Sequence, residues 1–266
     1  MKLPTAYLQQ RKEKLTAILQ LPPKDYVPET FHKLRVEIKK LRAVVALVQA
    51  AAPACRIHQQ GLNALRIIFK SAGFIRERQL EAAFIQNAPP RTYQNGFALL
   101  QLNLMLAEEL EKARFFAYLK SSIPQIIRQL LDDLSDCANQ LEKARVKCVL
   151  QQQNERMRRQ LRTCDTTNEW HLLRKQLKAH EYALKSSVYQ PLKWNSEQIV
   201  QVLDLLGLWQ DCEAMKASFG QLLKTHHASC VQEALHLLIR QLDAKQQNIE
   251  SQIVELNIMN NTKIKR

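Results

Sequence analysis

The sequence predicts an all-α fold, and three observations carry that prediction. Only 5 glycines occur in 266 residues, the 9 prolines fall mostly between stretches of helical periodicity, and good helix formers (Leu, Gln, Ala, Lys, Glu) are abundant. A chain of this length can bury a large core, as one long domain or as two smaller repeated ones. Its 39 Lys and Arg against 25 Asp and Glu leave a formal charge of +14 and a pI near 9.6. Such a field draws polyanions without choosing among them. No apolar run approaches the roughly 18 residues of a membrane span, and Met1-Lys2-Leu3-Pro4 leads into Gln9-Gln10-Arg11-Lys12 with no signal-peptide core. The chain is therefore expected in the cytoplasm. Its cysteines (Cys55, Cys137, Cys148, Cys164, Cys212, Cys230) show neither a C-x-x-C pair nor zinc-site spacing, and are expected to be small buried residues left unpaired.

Element by element, residues 4–20 read as a short helix stopped by Pro22-Pro23. Pro28 suits a first helical turn and Glu29 suits the positive end of the helix, which runs to about Ala52 before Pro53 breaks it. A helix over 54–71 is followed by a turn at Gly73 and a helix over 75–86, and Pro89-Pro90 is the clearest stop in the chain. Helical spacing resumes over 93–119. Pro124 then opens a long amphipathic stretch to about Leu161, acidic at its start (Asp132, Asp133, Asp136) and basic at its end (Arg156, Arg158, Arg159, Arg162), which reads as a solvated face. The polar linker 163–168 offers Asp165, Thr166, Thr167 and Asn168 as N-caps for a helix that ends before Pro191. Helices over 196–206, 211–226 and 228–258 finish the chain, with a frayed tail at 260–266.

Two of these helices carry the chemistry. His32, Arg35, Lys39 and Arg42 are spaced three, four and three apart and share one helix face, beside an apolar stripe of Leu34, Ile38, Leu41 and Val45. His171, Arg174 and Lys178 repeat the spacing, with Leu173 and Leu177 repeating the stripe. The repetition predicts an internal duplication. Arginine offers a planar fork of donors that matches phosphate oxygens, and lysine offers a mobile point charge. Histidine adds a donor that becomes a cation as pH falls. Such a face holds an anion and does not cut it.

These residues resemble the CHAD domain (conserved histidine α-helical domain) family, in which each of two similar halves carries an H-x-x-R-x-x-x-K helix. In that family a Leu-Gly turn and an acidic residue follow some thirty residues later. The counterparts here are Ser71-Ala72-Gly73-Phe74-Ile75-Arg76-Glu77 and Leu205-Leu206-Gly207-Leu208-Trp209-Gln210-Asp211. The resemblance implies a single domain over 1–266 made of two four-helix-bundle-like halves, 1–120 and 121–266, with a basic cleft or pore between them. It also implies a non-enzymatic protein that binds inorganic polyphosphate and is targeted to polyphosphate granules. The binding residues carried over are His32, Arg35, Lys39, Arg42, His171, Arg174 and Lys178, and Arg66, Lys70, Arg76 and Arg78 would extend the first wall. The second half departs from the pattern: Glu181 stands in register with Arg42, and is expected to pair with a cation and weaken that side. Glu77 and Asp211 are expected to be structural, at a helix N-terminus or in an internal ion pair.

Two alternatives belong to other classes. A non-specific nucleic-acid-binding module suits the charge, but no helix-turn-helix or RNP signature accompanies it, and Trp170, Trp194 and Trp209 do not interleave with the basic face. A metal-binding bundle is suggested by Glu29 to His32 and Glu233 to His236, each with Glu-x-x-His spacing. Arg35 and Lys39 beside His32 would repel a dication, so no metal and no cofactor are expected. His58, His180, His226, His227 and His236 read as surface or core fillers.

Overall fold

The computed structural model describes residues 5–88, 93–163, 167–186 and 196–256. Among them every long element is a helix: α1 (Thr5–Leu19), α2 (Pro28–Ala51), α3 (Gln59–Gln86), α4 (Gln94–Lys120), α5 (Ile123–Asn139), α6 (Lys143–Thr163), α7 (Thr167–Ser186), α8 (Ser196–Thr225) and α9 (Ser229–Glu255), with a 3₁₀ turn at Pro23–Asp25. The all-α expectation holds. Pro28 sits in the first turn of α2 with Glu29 beside it. The stop at Pro89-Pro90, the middle of the 163–168 linker, the stop before Pro191, the tail, Trp194 and Cys164 lie outside the described residues.

Three boundaries differ from expectation. Gly73 and Gly207 do not break helices: α3 and α8 run straight through them. Conversely, the stretch beginning at Pro124 divides at residues 140–142, where Leu141 turns into the core. A helix-interior glycine costs only about 1 kcal/mol, so a packing requirement at that position outweighs it.

The chain forms two compact units. One comprises residues 1–73, 112–160 and 175–194. Within it α1 packs on α2 and α5, and α2 on α5. The predicted stripe of α2 (Leu34, Ile38, Leu41, Val45) is buried. Tyr26, Phe31, Phe115 and Phe116 form an edge-to-face cluster with centroids 5.2–5.6 Å apart, and the Tyr26 hydroxyl donates to the Ile18 carbonyl at 2.6 Å. Arg11 and Glu37 are both buried, with Nη1 at 2.8 and 2.9 Å from the carboxylate oxygens, and Lys40 adds a third bond at 2.8 Å. Burying either charge alone would cost several kcal/mol, roughly 3–5, so the pair ties α1 to α2.

The same unit corrects the cysteine reading. Cys55 and Cys137 are disulfide-bonded across 82 residues, Cα to Cα 5.8 Å, and Cys148 is exposed. Two cysteines so distant in sequence carry no spacing signal; the packing of the segment after α2 on α5 brings them together.

The other unit comprises residues 74–111, 161–174 and 195–266. Its spine is the pairing of α8 with α9. Val202, Leu203, Leu206, Met215 and Phe219 of α8 and Val231, Leu235, Leu238, Leu242 and Ile249 of α9 are buried. Trp170 and Trp209 are both buried and pack edge-on at 5.6 Å. Here Cys212 is buried and Cys230 exposed.

Candidate functional site

α2 presents His32 and Arg42 to solvent and half-buries Arg35 and Lys39, while the leucine and isoleucine stripe on its other side fixes its rotation. What organises the basic face comes from α3. The Arg35 guanidinium lies over the Phe69 ring, 4.5 Å from its centroid, and that of Arg42 lies 5.4 Å from the same centroid. Arg35 Nη1 also donates to the Phe69 carbonyl at 3.1 Å. The aromatic therefore gathers two cations that stand two turns apart on α2.

Gly73 completes this arrangement. One helical turn beyond Phe69, it lies where Arg35 passes: a Cβ at position 73 would clash with Arg35 Nη1 and lie 3.2 Å from Cζ. The glycine thus makes room for the close approach of a neighbouring side chain and does not mark a turn. The second motif repeats the device. A Cβ at Gly207 would lie 3.1 Å from Arg174 Nη2, and Arg174 Nη1 donates to Gln210 Oε1 at 3.1 Å, three residues beyond the glycine. Glu77 and Asp211 fall inside α3 and α8, so neither sits at a helix N-terminus.

The two motifs differ in what surrounds the arginine. Counting back four residues from each glycine gives Phe69 in α3 but Leu203 in α8, so the position that supplies the ring to Arg35 is aliphatic in the second motif. On α7 itself Lys178 pairs with Glu181 at 3.0 Å, and Lys185 pairs with the same carboxylate at 2.6 Å. Burial alone would raise the Glu181 pKa, but the hydrogen bonds from Lys185 and Lys178 hold it below its ordinary value. The expected pairing of Glu181 is present, and it neutralises part of that face.

Of the extension residues, Arg66 and Lys70 are exposed and share the Phe69 to Gly73 face of α3 by helical spacing. Arg76 is half-buried one turn on. The Arg78 guanidinium is engaged elsewhere, by Glu81 at 2.8 Å and Ser218 Oγ at 3.2 Å. It compensates a Glu81 carboxyl that burial pushes above its ordinary pKa. Among the described residues no three His, Cys, Asp or Glu side chains gather to hold a metal. His180 is a buried core histidine, its pKa pushed down to about 4 by desolvation.

Phe69 and Gly73 are the residues that the motif pattern did not single out as part of the site. Gly73 is visible in the sequence as half of a matched glycine pair, and the signal for Phe69 is its place four residues before that glycine, on the helix that follows the motif.

Comparisons with known proteins agree with the all-helical fold. A family model described as the CHAD domain matches residues 6–219. The crystal structure of the CHAD domain from the plant Ricinus communis is similar in fold, with a TM-score of 0.74 and 16% identity over 95% of this chain and 87% of that one. PptA from Streptomyces chartreusis is similar with a TM-score of 0.70 and 16% identity, over 95% of this chain and 96% of that one. No curated protein matches the chain by sequence. No described helix is long and apolar enough to cross a membrane. With the family model spanning most of its length and two repeated His-x-x-Arg-x-x-x-Lys helices, the chain belongs to the CHAD domain family.

Proposed function

We propose that this protein binds inorganic polyphosphate, and that the guanidinium pair over Phe69 is its principal contact. The observation carrying the proposal is that Arg35 and Arg42, on the helix that also bears His32 and Lys39, share the Phe69 ring of α3. Two like charges held together repel each other, and a phosphate chain, with a negative charge on each unit, relieves that repulsion while filling the donor forks. His171, Arg174 and Lys178 supply a second, weaker contact, because Glu181 takes up Lys178. Arg66 and Lys70 extend the first one. The protein holds its ligand and performs no reaction on it, since the motif residues supply cations and donors and no nucleophile paired with a base. In cells it would sit in the cytoplasm on polyphosphate granules. A reducing compartment would favour Cys55 and Cys137 as thiols, so their state in cells reports on this placement.

The net charge of +14 favours one other reading, a non-specific grip on nucleic acid. Equilibrium binding to long-chain polyphosphate and to single-stranded DNA of matched charge, across a salt titration, separates the two. Tighter polyphosphate binding that persists at moderate salt supports the proposal. Equal and steeply salt-dependent binding to both ligands overturns it. Replacing Arg35 and Lys39 by Ala should weaken polyphosphate binding and flatten its salt slope by about two charges with helix content unchanged; unchanged affinity removes them from the site.

A further inference from the structure

We propose that the Cys55–Cys137 disulfide is a redox switch for the arginine platform, holding α3 where Phe69 meets Arg35 and Arg42; its effect on binding rests on polyphosphate as the ligand of that platform. Residues 52–58 form the non-helical link between α2 and α3, and Cys55 lies in the middle of it. Cys137 is buried in the last turn of α5. A second contact stands six residues on in α3 and seven residues back in α5: a Cβ at Gly61 would lie 2.6 Å from Leu130 Cβ. The two contacts advance in opposite directions along the chain, so the first turns of α3 lie antiparallel on α5, closer than a side chain at 61 would permit. α5 also packs on α2. It is therefore the frame that holds α2 and the start of α3 together.

The platform depends on that frame. Phe69 follows Gly61 by eight residues, about 12 Å along a rigid helix, so a shift at the start of α3 is carried to the ring. The fit there has little tolerance: Arg35 Nη1 donates to the Phe69 carbonyl at 3.1 Å and fills the space beside Gly73. A displacement of roughly 1 Å breaks that bond. Opening the disulfide frees a link across 82 residues and leaves the Gly61 contact to hold α3 on α5 by packing alone. The platform is then assembled for only part of the time, and affinity falls by that fraction.

The chemistry is thiol–disulfide exchange with a small disulfide such as glutathione disulfide. Cys55, half-buried on the non-helical link, is the sulfur within reach, whereas Cys137 is buried. The Cys55 thiolate attacks one sulfur of the small disulfide, forming a mixed disulfide and releasing one thiolate. The Cys137 thiolate then attacks the Cys55 sulfur, closing the protein disulfide and releasing the second. The two released thiolates take up the two protons that the protein thiols lose, and two electrons pass from the protein to the small disulfide. A reducing compartment thus keeps the platform loose, and oxidation assembles it.

The test is equilibrium binding of long-chain polyphosphate to the full chain, oxidised and after dithiothreitol, with hydrogen exchange followed over residues 59–73 and in α9. Reduction should weaken binding by at least about fivefold, the low end of usual coupling between sites. It should also speed exchange over 59–73 and leave α9 unchanged. Cys55→Ser should bind as the reduced protein does, with or without dithiothreitol, which separates this pair from the exposed Cys148 and Cys230. By linkage, saturating polyphosphate should shift the exchange equilibrium with glutathione toward the disulfide by the same factor. Equal affinity of the two forms overturns the proposal, as does a Cys55→Ser variant that binds like the oxidised protein. Exchange over 59–73 that ignores reduction overturns it whatever the ligand, and an equal rise in α9 does so too, because that marks general unfolding. If neither form binds polyphosphate while exchange over 59–73 still follows the disulfide, the ligand reading fails and the switch stands.

Discussion

Gly73→Ala is the sharpest perturbation of the arginine platform. The new methyl group would clash with Arg35 Nη1 and approach Cζ to 3.2 Å. To regain van der Waals separation the guanidinium must move by roughly 1 Å or more, because α3 is a continuous helix and cannot yield. That movement breaks the 3.1 Å bond to the Phe69 carbonyl and lifts the guanidinium off the ring. The hydrogen bond from a charged donor contributes about 1.5–3 kcal/mol and the ring contact about 0.5–1 kcal/mol, while alanine returns about 1 kcal/mol of helix preference. The net cost is about 1–3 kcal/mol. For a chain of this size it should appear as a fall of about 2–8 °C in Tm by circular dichroism. Polyphosphate affinity, measured by titration calorimetry, should fall about tenfold as Arg35 leaves Arg42. Gly207→Ala is the internal control: with Arg174 Nη2 at 3.1 Å, a few tenths of an ångström suffice, and stability should change little. If Gly73→Ala raised Tm and bound polyphosphate as wild type does, the reasoning that this glycine seats Arg35 would be refuted.

Two further outcomes concern the rest of the first unit. Because burial holds the His180 pKa near 4, below its ordinary 6.5, the unfolded chain binds the extra proton first. Stability attached to the neutral ring is therefore complete above pH 6.5 and is lost as pH falls toward 4, by about 3 kcal/mol, whereas His180→Gln should flatten that part of a Tm-against-pH profile; parallel profiles would show that the ring is not buried neutral. Reduction of Cys55–Cys137 releases a loop of 82 residues, which the chain-entropy model values at about 4.5 kcal/mol, so melts with and without reductant should differ by some 10 °C.

The helical class and the rotation of α2 were legible because both depend on local periodicity: Leu34, Ile38, Leu41 and Val45 are buried as their spacing requires. The motif histidines, arginines and lysines could be placed on a face for the same reason. The two glycines were visible as a matched pair but misread as turns, since a glycine that permits a bend and one that admits a neighbour's side chain look identical in sequence. Only the position of Arg35 over α3 distinguishes them. Phe69 was hidden because its partners lie 27 and 34 residues away on another helix. The disulfide was hidden for the same reason, at a larger separation. Where α5 ends depends on Leu141 finding the core, which no local pattern announces.

The bond between Cys55 and Cys137 also gives the chain a covalent topology. It closes a ring that contains the whole of α3 and α4, and with them Phe69 and Gly73. A protease that cuts the backbone once anywhere from residue 56 to residue 136 opens the ring without releasing a fragment. The nicked protein would run as one species on a gel until reductant was added. Phe69 would remain tethered to the segment bearing Arg35 and Arg42, so the platform can survive a break in the chain that would otherwise separate its parts.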